Sequence, residues 1–252
     1  MTRYRLIIAY DGTAYAGWQI QPDGRTIQGE LENAIHRISG QEKVRVQCSG
    51  RTDTGVHARA QAAHVDLDHP MPVRKLLEGC NALLDEDIRV LKASRVSPEF
   101  HARFSAASKE YRYFIWNGNV VPPHVRNQRT WVRRPLDVQA MKKAAAILQG
   151  EHDFAAFTAN PNREVEGTVR NLSVLKISKK GHEVIITARA GGFLYKMVRS
   201  LAGFLIRVGN GDLPPEAAGE ILRSKKRTAA VPTAAPQGLF LWRVFYGQGG
   251  ES

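Results

Sequence analysis

Polar and charged side chains dominate one short stretch of the chain, "SGRTDTGVHA" at residues 49–58. Glycines in such a stretch allow tight turns and close approach of a ligand, so we predict a loop here. If its backbone is extended, Arg51 and Asp53 project to the same side, because side chains alternate along a strand. The guanidinium would then favour an ionised Asp53, the form that serves as a nucleophile or a general base. The alternative is an aspartate that caps its own loop in an Asx turn.

Histidines and aspartates close to this stretch raise the question of a metal site. His64, Asp66 and Asp68 share one face of a predicted strand, but their spacing along an extended chain is too wide to close on one ion. The sequence also lacks a nucleophile elbow around Ser49, a phosphate-binding P-loop and a dinucleotide-binding fingerprint. We therefore predict no metal site and a chemistry that needs no redox cofactor.

Basic and aromatic residues are interleaved in "SKEYRYFIW" at residues 108–116. On a strand, Tyr111 and Tyr113 lie on the same face, so at least one ring could stack on a nucleobase, which is worth roughly 1 to 3 kcal/mol per base. The alternative is that both rings belong to the core. Further along, Lys196 and Arg199 are three residues apart on a predicted helix and could meet an anion, or they could form a solvated helix face.

Positive charge is the most prominent feature of the composition, with a formal net charge of +12 and a pI near 10.0. Excess cations raise the encounter rate with polyanions and release counterions on binding, so nucleic acid is the first partner to consider. The alternative is a generic basic surface. The charges are dispersed over runs such as "VRNQRTWVRR", "ISKKGH" and "SKKRT". This dispersal favours a broad folded face over a disordered basic arm.

The remaining totals indicate a globular protein with its own core. The chain has 252 residues, of which 43% are hydrophobic. Cys48 and Cys80 have no metal-ligand spacing and are predicted to be free thiols in a reducing compartment. No secretory leader is recognisable, and the longest apolar stretch is interrupted by Arg207. We therefore predict a soluble, cytoplasmic protein.

Hydrophobic periodicity predicts four strands and two helices in the first half. The strands are "YRLIIAY", "VRVQCSGR", "AQAAHVDLD" and "DIRVLKASRV". A helix follows Thr26 as its N-cap and ends at Gly40, and a shorter one runs from Pro72 to Cys80. The stretch "SPEFHARFSA" is predicted to be a turn or a short helix.

The second half repeats this pattern. It contains a strand at "SKEYRYFIW", a helix capped by Asp137 that ends at Gly150, a hairpin around Lys180 and Gly181, a long helix at "FLYKMVRSLAGFLIRVG", a helix at "PPEAAGEILRS" and a last strand at "GLFLWRVFY". We therefore predict an α+β protein of two related halves, residues 1–105 and 106–252. Each half is expected to be a mainly antiparallel sheet with helices on one face.

At this point the motifs identify a family. The stretch "SGRTDTGVHA" resembles the catalytic motif of the tRNA pseudouridine synthase TruA family. Further motifs resemble this family in the same order, and they run from the first strand to the last: "IIAYDGTAYAGWQ", "FHARFSA", "KEYRY", "HDFAAF", "FLYKMVRSLAGFLIRVG" and "GLFLWRVFY".

The resemblance implies roles for individual residues. Asp53 would be the catalytic aspartate, Arg51 its partner, and Tyr111 the ring that stacks on the target uracil. Arg199 and Leu239 would line the same pocket, in an active-site cleft between the two halves. The surface that touches RNA would include Phe100, His101, Arg103 and Phe104. The resemblance also implies a homodimer that modifies uridines 38, 39 and 40 in the anticodon stem-loop of tRNA, without a cofactor.

Two alternatives to this function remain open. One is a tRNA-binding protein or RNA chaperone without catalysis, and the other is a sister pseudouridine synthase with other target positions. The chemical role of Asp53 is also open, because the carboxylate could attack C1′ of the ribose, add to C6 of uracil or take a proton from the sugar.

Overall fold

The computed structural model describes residues 1–159 and 167–247 of the chain. Its strands are β1 (Thr2–Tyr10), β2 (Gln47–Cys48), β3 (His57–Leu67), β4 (Ile88–Val96), β5 (Ala106–Trp116), β6 (Thr130–Trp131), β7 (Gly150–Asp153), β8 (Val169–Lys180), β9 (Glu183–Ala190) and β10 (Leu239–Tyr246). Its α-helices are α1 (Ile27–Ser39), α2 (Val73–Leu83), α3 (Val138–Leu148), α4 (Met197–Gly209) and α5 (Ala217–Ser224). The predicted α+β class is confirmed.

The chain divides into two compact units. Unit 1 comprises Met1–Ala107 together with the segment that begins at Phe240, and unit 2 comprises Ser108–Leu239. The division after Ala107 lies close to the boundary expected from the sequence. The last strand, however, was expected in the second half and groups with unit 1, because Phe240 and Leu241 pair with His57 and Ala58 of β3.

The sheet of unit 1 has β1 at its centre. Strand β1 pairs antiparallel with both β3 and β4, and β10 adds to β3 in the parallel direction. The side chain of Thr26 accepts a hydrogen bond from the Gly29 amide at the start of α1, and Gly40 ends this helix in the left-handed conformation with φ 72°. Both predicted caps are therefore confirmed. Helix α2 packs against α1 and β4, and it extends beyond the predicted end at Cys80 to Leu83.

One predicted strand of unit 1 is much shorter than expected. In "VRVQCSGR" only Gln47 and Cys48 are in a strand, and they pair with His64 and Ala63 of β3. The backbone amide of Val46 donates instead to the carboxylate of Glu32 on α1, at 2.8 Å. A side chain from a distant helix thus replaces a strand partner, which alternation of residue types does not reveal.

The sheet of unit 2 has the order β5-β9-β8-β7, with antiparallel pairing throughout, and β6 pairs parallel to β5. The predicted hairpin is confirmed, since Lys180 pairs with Glu183 across the turn. Asp137 caps α3 as predicted by accepting from the amides of Gln139 and Ala140. The helix α3 packs against β8, α4 and α5.

The predicted long helix of unit 2 begins later than its apolar pattern indicates. Helix α4 starts at Met197, whereas the expectation was a start at Phe193. Lys196 precedes it in a left-handed conformation with φ 55°, which a right-handed helix cannot contain. Among the described residues, no helix is long and apolar enough to cross a membrane.

Candidate active site

The loop that carries Asp53 connects β2 to β3 in unit 1. Arg51 is exposed, Asp53 is half-buried, and Thr52 between them is buried. The loop turns back where the amide of Val56 donates to the carbonyl of Asp53 at 3.1 Å. A half-buried carboxylate at a loop tip remains open to a ligand while its backbone is held. The predicted loop is confirmed, and the roles of Arg51 and Asp53 stay predictions.

A second segment, residues 12–18, lies directly against this loop. The amide of Trp18 donates to the carbonyl of Thr52 at 3.0 Å. Gly17 has φ +93°, and a Cβ at this position would lie 2.7 Å from the same carbonyl oxygen. A Cβ at Gly12 would lie 2.1 Å from the carbonyl oxygen of Val56. Two backbones this close require glycine at both contacts.

Buried polar side chains hold the Asp53 loop from behind. The Tyr10 hydroxyl lies 2.9 Å from the hydroxyl of Thr52. Gln61 of β3 is fully buried, and its amide nitrogen donates to the carbonyl of Gly50 at 2.6 Å while its oxygen accepts from the Gly50 amide at 3.4 Å. The backbone of Gly50 and the side chain of Thr52, on either side of Arg51, are therefore held by side chains from β3 and β1.

These supporting residues were missed at the level of sequence. The signal available was weak: Gln61 is a single amide among small apolar residues in "AQAAH". His57, at the start of β3, is one of the histidines near this loop that raise the question of a metal site. It is fully buried, its Nδ1 lies 3.0 Å from the Gly12 amide nitrogen, and its ring stacks on Phe240 at 4.5 Å.

The two tyrosines of β5 in unit 2 have different surroundings. Tyr113 is fully buried, and its hydroxyl lies 2.5 Å from that of Thr130 and donates to the carbonyl of Ala235 at 2.8 Å. Burial raises the pKa of Tyr113 to about 12. Tyr111 keeps 8% of its surface exposed and meets the ring of Phe193 edge to face at 5.1 Å. Tyr113 is thus a core residue whose hydroxyl holds Thr130 and the Ala235 carbonyl in place. Tyr111 is the better placed of the two to meet a ligand.

Arg199 and the segment before Leu239 are joined within unit 2. The guanidinium of Arg199 donates from Nε to the carbonyl of Ala234 at 2.8 Å, and the Ala234 amide donates back to the carbonyl of Arg199 at 3.0 Å. Leu239 is buried at the end of this segment. The expectation that Lys196 and Arg199 lie on one helix is wrong, because Lys196 precedes α4 and its ammonium lies 4.9 Å from the ring centre of Tyr195.

The expected RNA-contacting residues form a compact turn in unit 1, which we call the Phe100 loop (residues 100–105). Phe104 is 77% exposed, Arg103 is exposed, and Phe100 and His101 are half-buried. The ring of His101 lies 4.3 Å from that of Phe104 and 4.7 Å from that of His64. The loop therefore presents an aromatic and a cationic side chain on an ordered base.

His64 and Asp66 have structural partners within unit 1. The Asp66 carboxylate accepts two hydrogen bonds from Arg3, at 2.6 and 2.7 Å, which holds the pKa of that carboxyl below its usual value. His64 is buried, and its Nδ1 accepts from the Ala102 amide at 3.2 Å. Burial, with a smaller contribution from Arg3, lowers the pKa of His64 to about 4. Across residues 1–159 and 167–247, no three His, Cys, Asp or Glu side chains are grouped to hold a metal ion.

Comparison with known proteins places the chain in a family. A model of the family described as tRNA pseudouridine synthase matches residues 6–105 and 144–247. The "tRNA pseudouridine synthase A" of Maridesulfovibrio salexigens is 44% identical over 99% of this chain and 92% of its own length. The protein of the same name from Halalkalibacterium halodurans is 45% identical over 96% of this chain and 92% of its own length. That from Oceanobacillus iheyensis is 41% identical over the full length of both.

Both matched stretches contain site elements described above, the Asp53 loop in the first and α4 with the start of β10 in the second. The matched stretches exceed half of the chain, and the relatives cover nearly all of it. The chain therefore belongs to the tRNA pseudouridine synthase family.

Proposed function

We propose that this protein isomerises uridine to pseudouridine at positions 38, 39 and 40 of the tRNA anticodon stem-loop, with Asp53 as the catalytic carboxylate and no cofactor. The observation that carries the proposal is a half-buried aspartate in a rigidly supported loop of a chain that belongs to this family. The relatives named above are tRNA pseudouridine synthases, which supports tRNA as the substrate.

The reaction suits a site with one essential carboxylate. The bond between C1′ of the ribose and N1 of uracil breaks, the base turns, and a new bond forms from C1′ to C5. The isomerisation involves no net redox change. Asp53 performs this chemistry in one of the three ways set out above, and Arg51 is its partner in the site.

Substrate binding requires that the target uridine leave its helical stack. Flipping a base out costs a few kcal/mol. Tyr111 stacks on the flipped uracil, and Arg199 and Leu239 complete the pocket around it. The Phe100 loop contributes His101 and the exposed Arg103 and Phe104 to RNA binding. The net charge of +12 provides the attraction to phosphate that offsets the flipping energy.

The first test replaces the catalytic carboxylate. Purified wild-type and Asp53→Asn proteins are incubated with an unmodified tRNA transcript without added cofactor, and pseudouridine is mapped by carbodiimide labelling and primer extension. We expect product at positions 38 to 40 from the wild type and none from Asp53→Asn, although both bind tRNA. Asp68→Asn is the matched control, because Asp68 is an exposed aspartate of the same unit.

Each other outcome points to a different function. Tight tRNA binding without product from the wild type would favour the RNA chaperone. Product at other positions would favour a sister synthase. Substantial product from Asp53→Asn would remove Asp53 from the chemistry.

Tyr111 is tested by a pair of substitutions. Tyr111→Phe keeps the ring and should retain most of the affinity for tRNA, whereas Tyr111→Ala should weaken binding by about 1 to 3 kcal/mol because stacking is lost. Affinity is measured with the Asp53→Asn protein, so that no product forms. Thermal unfolding of both variants separates loss of stacking from loss of core packing. Equal affinities of the two variants would contradict the stacking role.

We further propose that the protein is a homodimer and acts in the cytoplasm. The family resemblance supports both statements. Sedimentation equilibrium on the purified protein tests the dimer directly, since a mass near the monomer value of 28.0 kDa at micromolar concentration would contradict it.

A further inference from the structure

Two basic runs that are distant in sequence meet at one end of the sheet in unit 2. The runs are "VRNQRTWVRR" (residues 125–134) and "KISKKGH" (residues 176–182), and neither contains Asp or Glu. Trp131 of β6 pairs with Trp116 of β5, Trp116 pairs with Glu183 of β9, and Glu183 pairs with Lys180 of β8. These four residues therefore form a row across four neighbouring strands, roughly 14 Å wide at the usual strand spacing.

The row is held by a dense set of polar contacts. Asn117 is buried, and its side-chain amide donates to the carbonyls of Val132 and Arg134 at 2.9 and 2.8 Å. Its side-chain oxygen accepts from the Leu136 amide at 3.1 Å, and its own amide donates to the carbonyl of His182 at 2.7 Å. One residue, through its side chain on one run and its backbone on the other, thus connects both basic runs.

Some of the cations at this end of the sheet form ion pairs within the protein, and others can bind an external anion. Arg129 donates to Glu183 at 2.6 Å, and Arg134 lies 3.2 Å from the carboxylate of Asp212. Arg133, Lys179 and Lys180 are exposed and make no ion pair with another part of the chain that the structure describes. We call these three residues the basic end.

An exposed aromatic ring lies beside the basic end. Trp131 is 49% exposed, and its indole N–H already donates to the carbonyl of Gly118 at 2.8 Å. Its exposed part therefore offers aromatic surface rather than a hydrogen-bond donor. Cations next to an aromatic surface are the combination that binds single-stranded nucleic acid without sequence preference.

The basic end is separate from the proposed uracil pocket. Trp116 follows Tyr111 by five residues on β5, which corresponds to roughly 17 Å along a strand. This distance exceeds the reach of one nucleotide. In double-stranded DNA the phosphates supply one negative charge for about every 1.7 Å of helix axis, and an RNA duplex is at least as densely charged, so a surface of this width can face several phosphates. The segment 106–143 that supplies β5 and β6 also lies outside the stretches matched by the family model.

We propose that the basic end is a second RNA-binding surface, which contacts the phosphate backbone of the tRNA at a distance from the uridine that reacts. This inference rests on the proposed function for the identity of the RNA. It adds that affinity for the whole tRNA depends on a surface that a short RNA around the target uridine does not reach.

The test is a triple substitution, Arg133→Ala with Lys179→Ala and Lys180→Ala. Its control is Lys142→Ala with Lys143→Ala and Lys226→Ala, which removes the same charge from exposed positions elsewhere in unit 2. Steady-state kinetics are measured on a full tRNA transcript and on the isolated anticodon stem-loop. We expect the triple variant to raise KM for the full tRNA about ten-fold at unchanged kcat, with little change on the stem-loop and none in the control.

Salt dependence of tRNA binding gives an independent readout that needs no catalysis. Removing three phosphate contacts should reduce the slope of log affinity against log salt by about two to three. If the wild type makes no pseudouridine, the proposed function fails. The binding measurement still tests whether the basic end contacts tRNA. Equal slopes for the triple variant and the control would overturn the proposal. A similar rise of KM on both RNAs would also overturn it, as would a change in sedimentation that shows a second copy of the chain at this surface.

Discussion

Two loops of unit 1 are supported in parallel ways, the Asp53 loop and the Phe100 loop. Each takes one hydrogen-bonding side chain from β3: Gln61 bonds to Gly50, and His64 accepts from Ala102. Each also takes a tyrosine hydroxyl. Tyr10 meets Thr52 of the first loop at 2.9 Å. In the second loop, the Tyr246 hydroxyl donates to the carbonyl of Ala102 at 2.8 Å.

The two supports differ in how they respond to pH and to added volume. The amide of Gln61 does not titrate, whereas the imidazole of His64 loses its acceptor when Nδ1 is protonated. The Asp53 loop is also pressed against glycine backbone at Gly12 and Gly17, and the Phe100 loop has no such contact among the described glycines. The loop proposed for chemistry is thus held more rigidly, and the loop proposed for RNA contact has an anchor that acid can release.

The largest effect is expected where the Asp53 loop touches Gly17. Gly17→Ala adds a Cβ that would lie 2.7 Å from the Thr52 carbonyl oxygen, at a φ of +93°. We expect the free energy of unfolding to fall by about 3 kcal/mol and kcat to fall about 100-fold, because the Asp53 loop must shift. Urea unfolding and kinetics check both.

The matched control for Gly17 is Gly40→Ala. Gly40 also has a positive φ, +72°, but no atom lies within 4 Å of the added Cβ. The free energy of unfolding of Gly40→Ala should fall by about 1 kcal/mol, and its kcat should be unchanged. If both variants behaved alike, backbone strain and not contact with the Asp53 loop would explain Gly17.

The next effect separates the two anchors on β3. Gln61→Met removes the partner that Gln61 supplies to Gly50, and we expect about 2 kcal/mol lower stability with reduced kcat and unchanged tRNA affinity. His64→Leu removes the acceptor for the Ala102 amide and should weaken tRNA binding at unchanged kcat. The proposed difference between the loops is contradicted if Gln61→Met weakens tRNA binding at unchanged kcat and His64→Leu lowers kcat at unchanged affinity.

The pH dependence of stability sharpens the comparison further. Because the folded pKa of His64 is about 4 and the ordinary value is 6.5, the unfolded chain binds a proton between these values that the folded chain does not. Stability is therefore full above pH 6.5 and falls as the pH decreases towards 4, by about 3 kcal/mol from this group. His101 contributes to the loss of stability in acid in the same direction, because burial and, to a smaller extent, the positive charge of Arg3 lower its pKa.

The variant for this test is His64→Asn, which can retain an acceptor but cannot titrate. Denaturant unfolding between pH 4 and pH 7 should show a shallower loss of stability for His64→Asn than for the wild type. The exposed His69 provides the control, and His69→Asn should follow the wild type. A wild-type slope in His64→Asn would show that acid acts elsewhere.

The smallest effect is expected from the tyrosine hydroxyls. Tyr10→Phe removes the hydroxyl contact with Thr52, and Tyr246→Phe removes the donor to the Ala102 carbonyl. Each change should lower stability by about 1 kcal/mol. Tyr10→Phe should also lower kcat, whereas Tyr246→Phe should raise the dissociation constant for tRNA. A filter-binding assay beside steady-state kinetics distinguishes the two.

Local features of the fold were predictable because their causes lie within a few residues. The caps at Thr26 and Asp137 satisfy amides two or three positions away, and Gly40 ends its helix through its own backbone freedom. The loop that carries Asp53 was predictable for the same reason. The start of α4 was not, because its apolar spacing extends back to Phe193 while the backbone at Lys196 is left-handed.

The sequence by itself determined the α+β class, the helix caps, the Asp53 loop and, through the resemblance of its motifs, the family. The tertiary structure alone decided which side chains hold that loop and which basic runs meet. Gln61 reaches Gly50, Glu32 replaces a strand partner of Val46, and Arg129 joins Glu183 across 54 positions of sequence. Such contacts depend on the register of strands and the packing of helices, which residue periodicity does not specify.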